Sequence, residues 1–252
     1  MSLQDCFYRL TDDEENIAED LFCFAPAGAS AFSSYYDWRK ILQPQIRLFI
    51  AELPGRGCRI TDPQHTQFQD LIEELYDAFK QVLTNKNYMF LGHSFGGLIS
   101  YELTKKIQLS GELLGPKHIF IAGANPPHVP STIENLITLD NDNLVAALKE
   151  LGGVEPHIAD SEAFHEICLP IIRSDFILSS SYPRNNLVKL SCPISILNGH
   201  QDKLILKQHI GEWDRYSNDL IQYYTFKGDH FFIQQYKDCI SSIIKKVENN
   251  KA

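Results

Sequence analysis

Short, unbroken apolar runs recur along the chain, separated by segments whose apolar residues return every three or four positions. The runs at 21–24, 46–51, 88–91, 118–122, 192–197 and 220–226 predict strands, that at 88–91 a buried one. Between the second and third, 68–83 carries Leu71, Leu75, Phe79 and Val82 at helical spacing. Its acidic residues Asp70, Glu73 and Glu74 fall near its start, where the helix dipole favours negative charge. Helical character also follows the third run, from 99 to about 108, and closes the chain from about 233 to 247. Strands alternating with helices predict an α/β fold, a mostly parallel central sheet covered by helices on both faces. After Gly123 the rhythm breaks. Asn125-Pro126-Pro127-His128-Val129-Pro130 opens about fifty residues of helical pattern. The stretch 143–151 puts Leu144, Leu148 and Leu151 on one face and stops at Gly152-Gly153; 161–178 reads as a helix interrupted by Pro170. A helical insertion over about 125–185 would sit above the carboxyl ends of the strands, where open α/β sheets bind ligands. It is expected to form a lid whose apolar residues line a pocket; the alternative is that they only pack the insertion onto the body, and the two are compatible.

At 252 residues, 44% of them hydrophobic, the chain can bury a large core, and one domain over 1–252 is the simplest count. The 23 basic and 32 acidic residues give a net charge of −9, which argues against a nucleic-acid partner or an anionic membrane surface. No apolar run approaches the roughly 20 residues needed to span a bilayer. Residues 1 to about 19 form a polar lead-in, acidic where a secretory signal would be apolar, so a cytoplasmic location is expected. The six cysteines are scattered with no C-x-x-C pair, which reads as free thiols and offers no zinc or redox motif. No cofactor or metal is expected, and a monomer is the expected state.

Candidate chemistry sits at the ends of the predicted strands. Gly92-His93-Ser94-Phe95-Gly96, between a strand and a helix, fits G-x-S-x-G, the nucleophile elbow of α/β-hydrolases. So abrupt a turn leaves little room two residues either side of the serine, hence two glycines. Ala25-Pro26-Ala27-Gly28-Ala29-Ser30 follows the first strand and can present bare backbone N–H groups. That assigns oxyanion-hole N–H groups to Ala27 and to Phe95, the residue after the serine. Asp202 leaves the strand at 192–197, and His230 follows the last strand, so the order is Ser94, Asp202, His230, as in α/β-hydrolases. Asp229 competes with Asp202, but it precedes His230 in the same loop and would need an awkward backbone fold to reach the imidazole. His93 is expected to pack or hydrogen-bond locally, His200 to be polar surface, and Trp38 and Trp213 to anchor packing. His65, His118, His128, His157, His165 and His209 show no partner pattern.

Several segments together resemble the type II thioesterases that accompany nonribosomal peptide and polyketide synthases. They are 21–28, Leu53-Pro54-Gly55-Arg56-Gly57, Gly92-His93-Ser94-Phe95-Gly96-Gly97, Leu151-Gly152-Gly153, the 169–176 stretch Leu-Pro-Ile-Ile-Arg-Ser-Asp-Phe, and Gly228-Asp229-His230-Phe231-Phe232. The likeness runs from about 20 to 235. Two departures stand out: Phe24-Ala25-Pro26-Ala27-Gly28-Ala29 replaces the usual Phe-Pro-x-Ala-Gly-Gly, and Gly228-Asp229-His230 the commoner Gly-Gly-His. The resemblance implies an α/β-hydrolase fold and hydrolysis of acyl thioesters held on the phosphopantetheine arm of an acyl or peptidyl carrier protein. It further implies Ser94 as nucleophile, His230 as general base and then acid, and Asp202 as its orienting partner, with neither metal nor cofactor. A carboxylesterase or acyl-CoA thioesterase with the same triad and a non-catalytic binding module are the rival readings.

Overall fold

A computed structural model describes residues 6–11, 19–84, 87–130 and 132–249. The acidic part of the lead-in, 12–18, lies outside the described residues. In chain order the elements begin β1 (Phe7–Arg9), β2 (Glu19–Phe24), α1 (Ala31–Tyr35), α2 (Trp38–Leu42), β3 (Ile46–Ala51), α3 (Phe68–Val82), β4 (Tyr88–His93) and α4 (Phe95–Ser110). They continue with β5 (His118–Ala122), α5 (Asn141–Glu150), α6 (Pro156–Ala159), α7 (Leu169–Ser180), β6 (Ile194–Gly199), β7 (Ile221–Phe226), α8 (Phe232–Gln235) and α9 (Lys237–Asn249). The sheet runs β1-β3-β2-β4-β5-β6-β7, parallel throughout except for β1, which pairs antiparallel with β3 in the register Phe7↔Ala51. This is the mixed α/β, mostly parallel architecture expected from the strand–helix alternation.

The central strands are buried on both faces, which is why they read as continuous apolar runs. Alternation still sorts them. Phe22, Phe24 and Phe90 face α3 and α4, joining Phe68, Leu75, Phe79 and Ile99 in one core. Leu21, Cys23, Met89 and Leu91 face the other way, onto Trp38 of α2, Phe232 of α8 and Ile240 and Ile244 of α9. Each such side chain removed from water contributes about 2 kcal/mol. Trp38 and Trp213 are fully buried packing residues.

Several features differ from the pattern-based expectation. Strand β1, only three residues, is too short for alternation to register, and α1 and α2, five residues each, carry no full helical repeat. Helix α5 starts earlier than expected because Asp140 caps it, accepting the Asn143 N–H at 2.9 Å. The 161–178 stretch is divided: a π turn over Phe164–Cys168 leads into α7, with Pro170 in the first turn of α7. The segment between β5 and β6 packs around its own cluster, including Leu144, Leu148, Phe164, Leu169, Ile172 and Phe176, against Ala27 and Leu204 of the body.

Strand order places the site. From β2 the chain steps to β3 on one side, then returns to β4 on the other. The loops leaving β2 and β4 therefore diverge, opening the crevice that α/β sheets use at such switch points.

Candidate active site

The turn from β4 into α4 is as tight as its sequence implies. Ser94 has φ 55° and ψ −115° and is the only non-glycine residue with positive φ among the described residues. Its N–H donates to Ala122 O at 2.7 Å, which ties the turn to β5. A Cβ on Gly92 would lie 2.0 Å from Gly96 O, and one on Gly96 would lie 2.1 Å from Phe24 O. Neither position has room for a side chain. Ser94 is thus held in a strained backbone at the positive end of a 16-residue helix. As the first residue of α4, Phe95 has no intrahelical acceptor for its N–H.

The loops after β6 and β7 are laced together: His200 N–H donates to Phe226 O at 2.7 Å and Gln201 N–H to Gly228 O at 2.8 Å. That lacing brings Asp202 to His230. His230 Nδ1 donates to Asp202 Oδ2 at 2.7 Å, and Asp202 Oδ1 accepts the Leu204 N–H at 2.9 Å. Both residues are buried. Asp229, the rival carboxylate, instead accepts the Phe231 N–H at 2.9 Å. With Nδ1 engaged by a carboxylate, Nε2 is the ring nitrogen left for substrate chemistry.

Ser94 and His230 line two cavities together. One, about 410 Å³, is walled by Ala27, Leu148, Leu151, Phe176 and Phe231. The other, about 520 Å³, runs past Phe95, Asn125, Pro126 and Arg184. The five residues singled out in the sequence are therefore gathered at one place, Ser94, His230, Ala27 and Phe95 on the cavities and Asp202 behind the imidazole.

Sequence reasoning missed some of the supporting residues. His93 Nε2 donates to the His230 backbone carbonyl at 2.8 Å, fixing the loop behind the imidazole. Burial, aided by the neighbouring His230 imidazole, pushes His93 down to about 3, so it is neutral at pH 7. Glu52, also buried, accepts from Ser30 Oγ at 2.7 Å and Ala31 N–H at 3.2 Å, anchoring the far end of the loop after β2. The only sequence signal for Glu52 is a carboxylate sitting directly after an apolar strand. His118 meets Ser195 Oγ at 2.9 Å, His128 bridges Tyr216 and Glu212, and His65 and His209 pair with Glu74 and Glu212; none of the four lines either cavity. His200 is exposed. Among the described residues no cluster of His, Cys, Asp and Glu is arranged to hold a metal ion, and no helix is long and apolar enough to cross a membrane.

Known proteins share this arrangement of elements. The family described as "Thioesterase domain" matches residues 19–250. Linear gramicidin dehydrogenase LgrE of Brevibacillus parabrevis is 31% identical over 228 residues, 89% of this chain and 86% of the relative. The probable anguibactin biosynthesis thioesterase AngT of Vibrio anguillarum is 29% identical over 229 residues, 87% of this chain and 88% of the relative. Among solved structures, ClbQ from the colibactin NRPS/PKS pathway superposes with a TM-score of 0.83 at 28% identity, covering 91% of this chain and 96% of that one. From the β2 strand to the last helix, then, the chain belongs to the thioesterase domain family and is a thioester hydrolase of the α/β-hydrolase fold.

Proposed function

We propose that Ser94, His230 and Asp202 form the catalytic triad of a type II thioesterase that removes acyl groups from the phosphopantetheine arm of a carrier protein in a nonribosomal peptide or polyketide synthase. The observation that carries this reading is the His230–Asp202 hydrogen bond of 2.7 Å, made by an imidazole that lines the same cavities as a serine on a strained strand–helix turn. Ser94 Oγ attacks the thioester carbonyl while His230 Nε2 takes its proton. The oxyanion lies against the N–H groups of Phe95 and Ala27, each worth roughly 3 kcal/mol. The C–S bond then breaks and the proton passes from His230 to the departing sulfur. Water attacks the acyl-serine with His230 again as base, and the proton returns to Ser94 Oγ as the acid leaves. Asp202 holds the imidazole in the tautomer this cycle requires.

Two cavities meeting at the nucleophile suit a substrate with an arm on each side of its scissile bond. The 410 Å³ chamber, walled by Leu148, Leu151 and Phe176, takes the acyl group. The 520 Å³ cleft, which runs past Phe95, Pro126 and Pro127, takes the pantetheine arm. Segment 125–185 is then the lid of the acyl chamber, and the free cysteines fit a reducing cytoplasm. The biosynthetic pathways named for AngT and ClbQ support a carrier-bound substrate. A redox role, as in the name of LgrE, finds no footing here, since the sequence has no G-x-G-x-x-G dinucleotide fingerprint.

Intact-protein mass spectrometry of acyl groups presented on carrier protein, coenzyme A and a simple ester tests the proposal. Carrier-bound acyl groups should be released fastest, and Ser94→Ala should abolish release while leaving the fold intact. Undiminished turnover in that variant refutes the serine; preference for the simple ester refutes the carrier substrate.

A further inference from the structure

Two charged side chains outside the triad converge on the turn that carries Ala27. Asp175, midway along α7, is 2% exposed, and its carboxylate accepts three hydrogen bonds. Arg56 Nη1 donates to Oδ2 at 2.5 Å and Arg56 Nη2 to Oδ1 at 2.7 Å; the third donor is the backbone N–H of Gly28, 2.6 Å from Oδ2. Arg56 is itself buried, in the turn after β3. Three segments far apart in sequence therefore meet at one carboxylate.

A buried ion pair is weak evidence for stability, because desolvation offsets most of its attraction. What a bidentate guanidinium–carboxylate pair supplies dependably is fixed geometry. Here the geometry is passed to the backbone. The Gly28 N–H belongs to the same rigid peptide plane as the Ala27 carbonyl, so only the φ and ψ of Ala27 lie between the gripped group and the Ala27 N–H. Gly28 has φ +77°, and a Cβ there would sit 2.2 Å from Ile172 Cγ1, so α7 packs directly against the turn. Ile172 and Asp175, three apart, share one face of that helix.

We infer that Arg56 and Asp175 are positioning residues for the oxyanion hole: they grip Gly28 so that the Ala27 N–H points where negative charge develops, and they tie that donor to the helical insertion. The inference rests on the reading of Ala27 as an oxyanion donor. It makes the insertion and the hole a single device, since α7 cannot leave the body without releasing the turn.

The test uses the full chain with Arg56→Lys, which keeps the charge but loses the fork, Asp175→Asn, and the double variant. Each is measured by thermal melting, by kcat and KM on an acyl-pantetheine thioester, and by the rate at which a fluorophosphonate labels Ser94. Labelling reports on the hole because the phosphonyl oxygen takes the oxyanion position. Misplacing one donor should lower kcat ten- to a hundredfold with KM changed by less than threefold, and slow labelling by a similar factor. The double variant should be no slower than the slower single one, because the pair acts as a unit. A pair that only braces the fold would lower the melting temperature and leave kcat of the folded protein within twofold, which overturns the inference. Should Asp175→Asn fail to fold, Arg56→Lys decides alone. A wild-type chain that is not labelled at Ser94 removes the active-site reading and the inference together; a labelled wild type with unchanged variants removes the inference alone.

Discussion

Among the described residues, Ser94 is the one that departs furthest from the backbone an L-amino acid prefers. Its φ of 55° with ψ of −115° is a region that glycine enters freely and that costs other residues on the order of 1–3 kcal/mol. The cost is met by surroundings that over-determine the turn: Ala122 O on its N–H, Phe24 O against Gly96, and Ser100 Oγ donating to Gly96 O at 2.8 Å. Two inactive variants separate strain from chemistry. Ser94→Ala keeps the Cβ and the strain, whereas Ser94→Gly removes both. Glycine forfeits about 0.5–1 kcal/mol in the unfolded chain, so Ser94→Gly should still be the more stable of the two by about 1 kcal/mol in urea unfolding. A Ser94→Gly variant less stable than Ser94→Ala by about 0.5–1 kcal/mol, the cost of glycine alone, would mean that the turn is not strained. Sequence alone predicted that this turn would be sharp, because a glycine two residues to either side implies crowding. It did not reveal that His93 turns back to brace the His230 carbonyl.

The helical insertion is where element-scale chemistry is adjustable. Phe176 on α7 is both part of the insertion's own core and a wall of the 410 Å³ chamber. Truncating it should lengthen the chamber, with a loss of stability toward the lower end of the about 3–5 kcal/mol typical of Phe→Ala, since the space opens into an existing cavity. Phe176→Ala should therefore raise kcat/KM for a hexanoyl over an acetyl thioester by about tenfold or more relative to wild type. An unchanged ratio would place the acyl group elsewhere. The elements themselves were unevenly legible. Strands β3 and β5 carry the expected bounds because nearly every residue in them is buried and the apolar run in each is long enough to stand out despite Arg47 and His118. β1 escaped notice because three residues cannot display a period, and its place at the sheet edge comes from pairing with β3, a long-range contact. The meeting of Arg56 with Asp175 was equally hidden. Each residue stands in a segment that the family resemblance singled out, but nothing local links residues 119 positions apart.

Over the whole molecule, the buried histidines set how folding responds to acid. Burial holds His93 at about 3 and His118 at about 4, His93 with an added push from His230. Both lie below the value near 6.5 that an unfolded histidine has. Above pH 6.5 neither state binds a proton at these sites and they leave stability unchanged. Below it the unfolded chain takes up protons that the native protein refuses, so stability falls with pH until the folded values are reached. Between pH 7 and 5.5 each histidine should cost about 1 kcal/mol by this linkage. That window stays above about pH 4.5, where ordinary carboxylates begin to protonate. Urea unfolding of the wild type and of His118→Gln at the two pH values isolates one of the contributions. The variant should lose about 1 kcal/mol less than the wild type on going from pH 7 to 5.5, whatever its stability at pH 7. Equal losses would mean that His118 takes up its proton as readily in the folded protein as in the unfolded chain. Its Ser195 partner would then have to act as acceptor to an imidazolium inside the sheet, a cost that burial between β5 and β6 makes prohibitive.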